Sequence, residues 1–143
     1  MVHFRPKRLQ FKEIFGSLFN APSMSALAHC VSADLKMSRG IARDFKEKFG
    51  NLEKLQTQGP YVGGLLFLFT GKRFVYYLVT KKVSPSVNVS VSPIHYQEFH
   101  HKPQLPDFIS SLKVLRSHLL AHGVSHLAIP KLGKPLTLNL LKK

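Results

Sequence analysis

Acidic side chains are what this sequence has least of. Seven Asp and Glu stand against 21 Lys and Arg, a formal charge of +14 at pH 7. A field of that sign draws in polyanions through counterion release. Cysteine is almost absent: Cys30 is alone, which excludes an internal disulfide and fits a reducing compartment, the nucleus or the cytoplasm. Long apolar runs are missing too. The longest, YVGGLLFLF (61–69), is too short for a membrane helix and carries two glycines. The start, MVHFRPKRLQF, has no apolar stretch of the secretory kind, so no such signal is expected. What is present is ordinary for a folded domain. The hydrophobic content of 44% is too high for a disordered chain, and 143 residues suit one domain spanning 1–143 with a real core.

The pattern along the chain predicts alternating strands and helices. RPKR (5–8) sits in a basic arm, residues 1–10. FKEIFG (11–16) is predicted to be a short strand and ALAHCV (26–31) a buried one. A polar loop, SADLKMSRG (32–40), follows. Ile41, Phe45 and Phe49 recur at helical spacing and Gly50 closes that helix; NLEKLQ (51–56) adds a further turn. GGLLFLFTGKRFVYYLVT (63–80) reads as a hairpin turning at TGKR. Residues 83–106 hold four of the nine prolines and many serines, and are expected to form a long loop insertion. Asp107 is placed as the cap of a helix over 108–121, with Phe108, Ile109, Leu112, Leu115 and Leu119 as its core stripe and Gly123 past its end. A closing strand is expected over 126–130. The order implies an α/β fold of three layers around a mixed sheet.

Ligands of such sheets bind beyond the carboxyl ends of strands. Gly40 precedes a helix whose free N–H groups favour an anion, and Gly133 lets backbone approach a phosphate closely. Among eight histidines, His118 and His122 stand four apart on a helix, a spacing able to hold zinc. No Cys, Asp or Glu stands at companion spacing, so no metal and no cofactor is expected. His29 and Cys30 are strand neighbours facing opposite ways, which argues against a dyad and for a core thiol. Lys81 and Lys82 end YYLVTKK. As solvated lysines they do nothing, whereas one desolvated in a cleft becomes a nucleophile.

Three stretches together, GSLFNAPSMSALAHCVSADLKMSRGIARDFKEKFG (16–50), FVYYLVTKK (74–82) and HKPQLPDFISSLKVLRSHLLAHGVSHLAIPKLG (101–133), resemble the macrodomain of the terminal ADP-ribose protein glycohydrolase, an O-acyl-ADP-ribose deacylase type. The similarity covers most of 11–133. It implies a mixed sheet between helices and an ADP-ribose cleft at the strand ends. By that resemblance the nucleotide is held by Leu18, Ser32, Met37, Ser38, Arg39, Gly40, Ile41 and Ala42, and from the other side by Pro130, Lys131, Leu132, Gly133, Lys134 and Leu136. Lys81 matches the family's nucleophile, which attacks the anomeric carbon of a protein-linked ADP-ribose and forms a covalent sugar adduct.

The sequence also departs from the family. The aspartate that assists release falls on Thr137, and threonine is no carboxylate base. Lys134 and Pro135 stand in a loop richer in glycine in the family, and Pro135 offers no N–H. Ser38 and Arg39 replace Gly and Ala; Arg39 either grips the diphosphate bidentately or blocks the pocket. Ser17 stands where an aspartate contacts adenine. The chain is further expected to lack the family's last helix and strand, leaving an apolar edge.

The leading expectation is an ADP-ribose-binding macrodomain acting on mono-ADP-ribosylated proteins as a monomer, with hydrolysis impaired. A working glycohydrolase or deacylase would need another base, for which Asp34 is the nearby acid. A basic nucleic-acid or poly(ADP-ribose)-binding module without activity is the reading from a second class. A truncated, poorly folding relic is the third.

Overall fold

In the computed structural model, residues 12–83 and 104–131 are described. They form a four-stranded mixed sheet with helices on both faces. The strands are β1 (Ala26–Ser32), β2 (Leu65–Phe69), β3 (Phe74–Lys81) and β4 (Leu127–Ala128), in the order β2-β3-β1-β4. β1 runs parallel to β3 and β4, while β2 and β3 form an antiparallel hairpin. The helices are α1 (Gly40–Phe49), α2 (Leu52–Thr57) and α3 (Leu105–Ala121), and a 3-10 turn covers Leu18–Asn20.

β1 and β3 are buried on both faces, as continuous apolar runs in a parallel sheet should be. On one face Leu27, Val31, Val75, Tyr77 and Val79 meet Phe45 of α1 and Leu55 of α2. On the other, Ala26, Ala28, Tyr76 and Leu78 meet Leu115 of α3. Alternation along the strands therefore builds two cores, one per face. The hairpin turns through Gly71–Lys72, with φ +89° at Gly71, the left-handed first position that a two-residue turn of type II′ requires.

The glycine pair before β2 lets α3 come close. Ser110 Oγ donates to Gly63 C=O at 2.8 Å, and Ser111 Oγ to Gly64 C=O at 2.9 Å. A Cβ on Gly63 would stand 3.1 Å from Ser110 Oγ, so a side chain there would push the helix away.

Three expectations need correction. The strand expected over 11–16 is absent from the described part of that stretch, residues 12–16: Ile14 and Phe15 point into solvent, and no strand among the described residues pairs with it. α3 begins at Leu105, not after Asp107, because Pro106 fits the first turn of a helix where its missing N–H costs nothing. Asp107 thus lies inside that turn, favourably placed against the helix dipole but not as the cap. The closing strand shrinks to Leu127–Ala128. The basic arm and nearly all of the 83–106 insertion lie outside the described residues.

Candidate active site at the carboxyl ends of the parallel strands

β1, β3 and β4 are mutually parallel, so their carboxyl ends open on one side of the sheet. Ser32 and Lys81 come level there as register partners, and Ala33 N–H extends the pairing to Lys81 C=O at 2.8 Å. Just before that level the register slips: Val31 pairs with Val79, but Ser32 pairs with Lys81, so Thr80 is an extra residue on β3. A bulge breaks the strict up–down alternation and re-aims the side chain that follows it. Lys81 is that side chain, and it is half-buried.

The loop after β1 is held by its own residues. Ser32 is buried and its Oγ donates to Asp34 Oδ1 at 2.6 Å. The Lys36 N–H donates to the same oxygen at 3.2 Å. Lys46 Nζ reaches back from α1 to Lys36 C=O at 3.1 Å. Leu35 and Met37 adopt φ of +52° and +44°, a left-handed conformation unusual for such side chains, yet both are almost fully buried, at 1% and 3% exposure. Burying those two side chains offsets a backbone cost of about 1–3 kcal/mol each. Lys36, between them, turns outward and is exposed, as are Ser38, Arg39 and Gly40, which follow Met37.

α1 starts at Gly40, with Arg39 in extended conformation at the N-cap and no side-chain cap bond. No acidic residue lies in its first turn. Its leading N–H groups therefore have no capping side chain, and the positive end of the helix directly follows the loop that leaves β1. An anion is the chemistry that completes such a terminus.

The other site residues fall in different places. Ile41, Ala42 and Leu18 are half-buried and pack on the α1-side core. Phe19, next to Leu18, meets Phe45 and Phe49 at 5.0 and 6.1 Å, which sets that turn along the C-terminal half of α1. Ser17 caps the 3-10 turn by accepting from Phe19 N–H at 3.3 Å. Pro130 is half-buried beyond β4, and Lys131 is exposed and paired with Glu13 at 3.3 Å. Leu132, Gly133, Lys134, Leu136 and Thr137 lie outside the described residues.

His29 and Cys30 face opposite sides, as strand alternation requires. His29 stacks on Phe45 at 3.7 Å and meets Tyr77 edge-on at 4.7 Å. Burial pushes it down to about pKa 3, offset in part by the backbone of Cys30. Cys30 packs toward the α3-side core, and burial pushes its thiol up to about 11, offset in part by the nearby charge of Lys81. A thiol so shifted is not a nucleophile at neutral pH.

His118 and His122 stack at 3.9 Å. His118 Nδ1 is already engaged with Tyr76 OH at 2.7 Å, and His122 Nδ1 donates to His118 C=O at 3.0 Å. Among the described residues no group of three His, Cys, Asp or Glu side chains gathers as metal ligands would.

Sequence reasoning missed Asp34 as the residue that fixes the loop. The signal was present: an Asp two residues before a loop N–H is a turn-forming pattern. The positive φ at Leu35 and Met37 had no signal, since neither is Gly or Asn.

No protein-family model matches the chain. It is 34% identical over 128 residues to the ADP-ribose glycohydrolase OARD1 of Homo sapiens, covering 90% of this chain and 74% of that protein. Among solved structures it is similar to the macrodomain of Mycobacterium tuberculosis DarG, with a TM-score of 0.62 and 23% identity, over 85% of this chain and 75% of the other. It also matches Thermosipho africanus DarTG in complex with ADP-ribose, with a TM-score of 0.61 and 17% identity, over 85% of this chain and 32% of that one.

Proposed function

Given that the chain belongs to the macrodomain family, in the branch of the ADP-ribose glycohydrolase OARD1, we propose that it binds ADP-ribose across the carboxyl ends of β1, β3 and β4. The observation that carries this reading is the meeting of Ser32 and Lys81 at one level, beside a helix terminus that has no capping side chain. The diphosphate lies against the first-turn N–H groups of α1, with Arg39 as its counter-charge. Pro130 and Lys131, which follow β4, flank it on the other side.

The substrate is a mono-ADP-ribosylated protein. The side-chain nitrogen of Lys81 attacks the anomeric carbon of the distal ribose. A C–N bond forms as the bond from that carbon to the modified side chain breaks, and its electron pair leaves with the side chain. Water must then displace the lysine. Thr137 supplies no carboxylate to activate that water, so release is slow and the adduct accumulates. Asp34 is committed to Ser32 and Lys36 N–H, which supports a structural rather than a catalytic role for it. We place this activity in the nucleus or cytoplasm, in keeping with the single unpaired cysteine.

Calorimetric titration of free ADP-ribose, alongside Lys81→Ala and Thr137→Asp, tests the reading. Micromolar binding, an intact-mass gain of one ADP-ribose that Lys81→Ala abolishes, and turnover raised about 100-fold or more in Thr137→Asp are expected. No heat from folded protein would overturn it. Binding that falls steeply with salt and ignores free ADP-ribose would favour a plain polyanion module, consistent with the +14 charge.

A further inference from the structure

β2 is an edge strand among the described residues. In an antiparallel pair, successive residues turn their backbone groups alternately toward the neighbour and away from it. Thr70 N–H donates to Arg73 C=O at 3.0 Å, and Val79 N–H to Gly64 C=O at 3.1 Å, so the even-numbered residues face β3. Leu65, Phe67 and Phe69 therefore turn theirs outward.

At the middle position the edge is occupied. Gln58 Nε2 donates to Phe67 C=O at 2.8 Å, and Phe67 N–H donates to Gln58 Oε1 at 3.1 Å. One carboxamide thus makes both bonds that a residue of a neighbouring strand would make. It blocks the centre of the edge and no more. The strand beneath it, LLFLF, has no charge, no proline and no glycine, the composition that invites pairing with another chain. Phe67 and Phe69 remain 38% and 61% exposed.

We propose that the β2 edge is a self-pairing surface that fits the β2 edge of a second copy of this chain, and that Gln58 keeps it closed. An antiparallel pair centred on Phe67 is two-fold symmetric. It sets Leu65 opposite Phe69, and because LLFLF carries no charge no basic residue meets another along the paired strands. The exposed rings of Phe67 and Phe69 then add cross-strand apolar contact. Lys48 and Lys54, in the groove beside the edge, oppose the approach of a second cationic molecule. Salt therefore strengthens the pairing by screening them.

Sedimentation equilibrium of the full chain, combined with amide hydrogen exchange, tests this. The wild type is expected to be monomeric at tens of micromolar. Gln58→Ala is expected to self-associate at least about tenfold more tightly, more so at high salt, with slowed exchange at the Leu65 and Phe69 amides. Gln58→Ala/Phe69→Lys, which adds a charge to the edge, returns it to monomer. Should Gln58→Ala lose its fold, Gln58→Glu keeps the acceptor for Phe67 N–H, drops the donor, and shows a weaker form of the same association. An unchanged mass in the folded variant overturns the proposal. So does association without slowed exchange at those amides, or a wild type already paired through them.

Discussion

At its amino end the sheet is tied by regular devices, and at its carboxyl end by strained ones. Near the start of β3, Arg73 gathers the chain that leads into β1. Its Nε donates to Ser23 C=O at 3.0 Å, and one terminal nitrogen to Ala21 and Pro22 C=O at 3.2 and 2.8 Å. A type II′ turn closes the hairpin beside it. At the other end of the same strands stand a bulge, two left-handed non-glycine residues and a helix start without a capping side chain. Strain and spare donors collect where a ligand can use them, and the opposite end supplies the stability that tolerates them.

The comparison can be broken in three ways. Removing the guanidinium by Arg73→Ala leaves three carbonyls without that donor and should cost about 2 kcal/mol, read from the denaturation midpoint at constant slope. A loss under about 0.5 kcal/mol would mean the amino end is not the anchor.

Acid should act through the middle of β1. His29 is neutral in the fold, with its pKa lowered to about 3, and takes up a proton near 6.5 once unfolded. Stability is therefore complete above about pH 6.5 and falls by about 1.4 kcal/mol per unit as pH drops toward 3. Between pH 7 and 5 the loss from this residue should be about 2 kcal/mol, and His29→Phe should remove most of that slope. His118, also lowered by burial and by His122, acts in the same direction and remains in the variant. Equal slopes in the two proteins would show that His29 is protonated without unfolding.

The smallest effect belongs to the carboxyl end. Asp34→Ala frees an already strained loop, so its cost in stability should be about 1 kcal/mol, less than that of Arg73→Ala, while ADP-ribose affinity falls at least about tenfold. Lost stability with unchanged affinity would place the loop among the structural anchors instead.

Much of the scaffold was legible in the residues. The run ALAHCV specified a strand because it is apolar on both sides, and Ile41, Phe45 and Phe49 specified a helix by their spacing. TGKR marked a hairpin turn, and Gly123, at φ +63°, marked the end of α3. FKEIFG misled because a strand needs a neighbour, which no local pattern supplies. Asp107 misled because Pro106 is an equally good opening residue for a helix. The candidate site was put forward only through a resemblance, from the blocks around Ser32, Arg39 and Lys81; what the fold adds is that the parallel strands bring Ser32 and Lys81 level at the carboxyl edge.

The sequence by itself determined the elements, the two apolar faces of β1 and β3, the excess of positive charge and the family. These depend on periodicity and composition, which are local properties of a chain. Tertiary structure alone decided that Thr80 bulges and re-aims Lys81, that Leu35 and Met37 turn left-handed, and that Gln58 covers the edge of β2. Each of these is a balance between a backbone cost at one residue and burial or hydrogen bonding supplied by residues far along the chain. Only packing brings the two sides of that balance together.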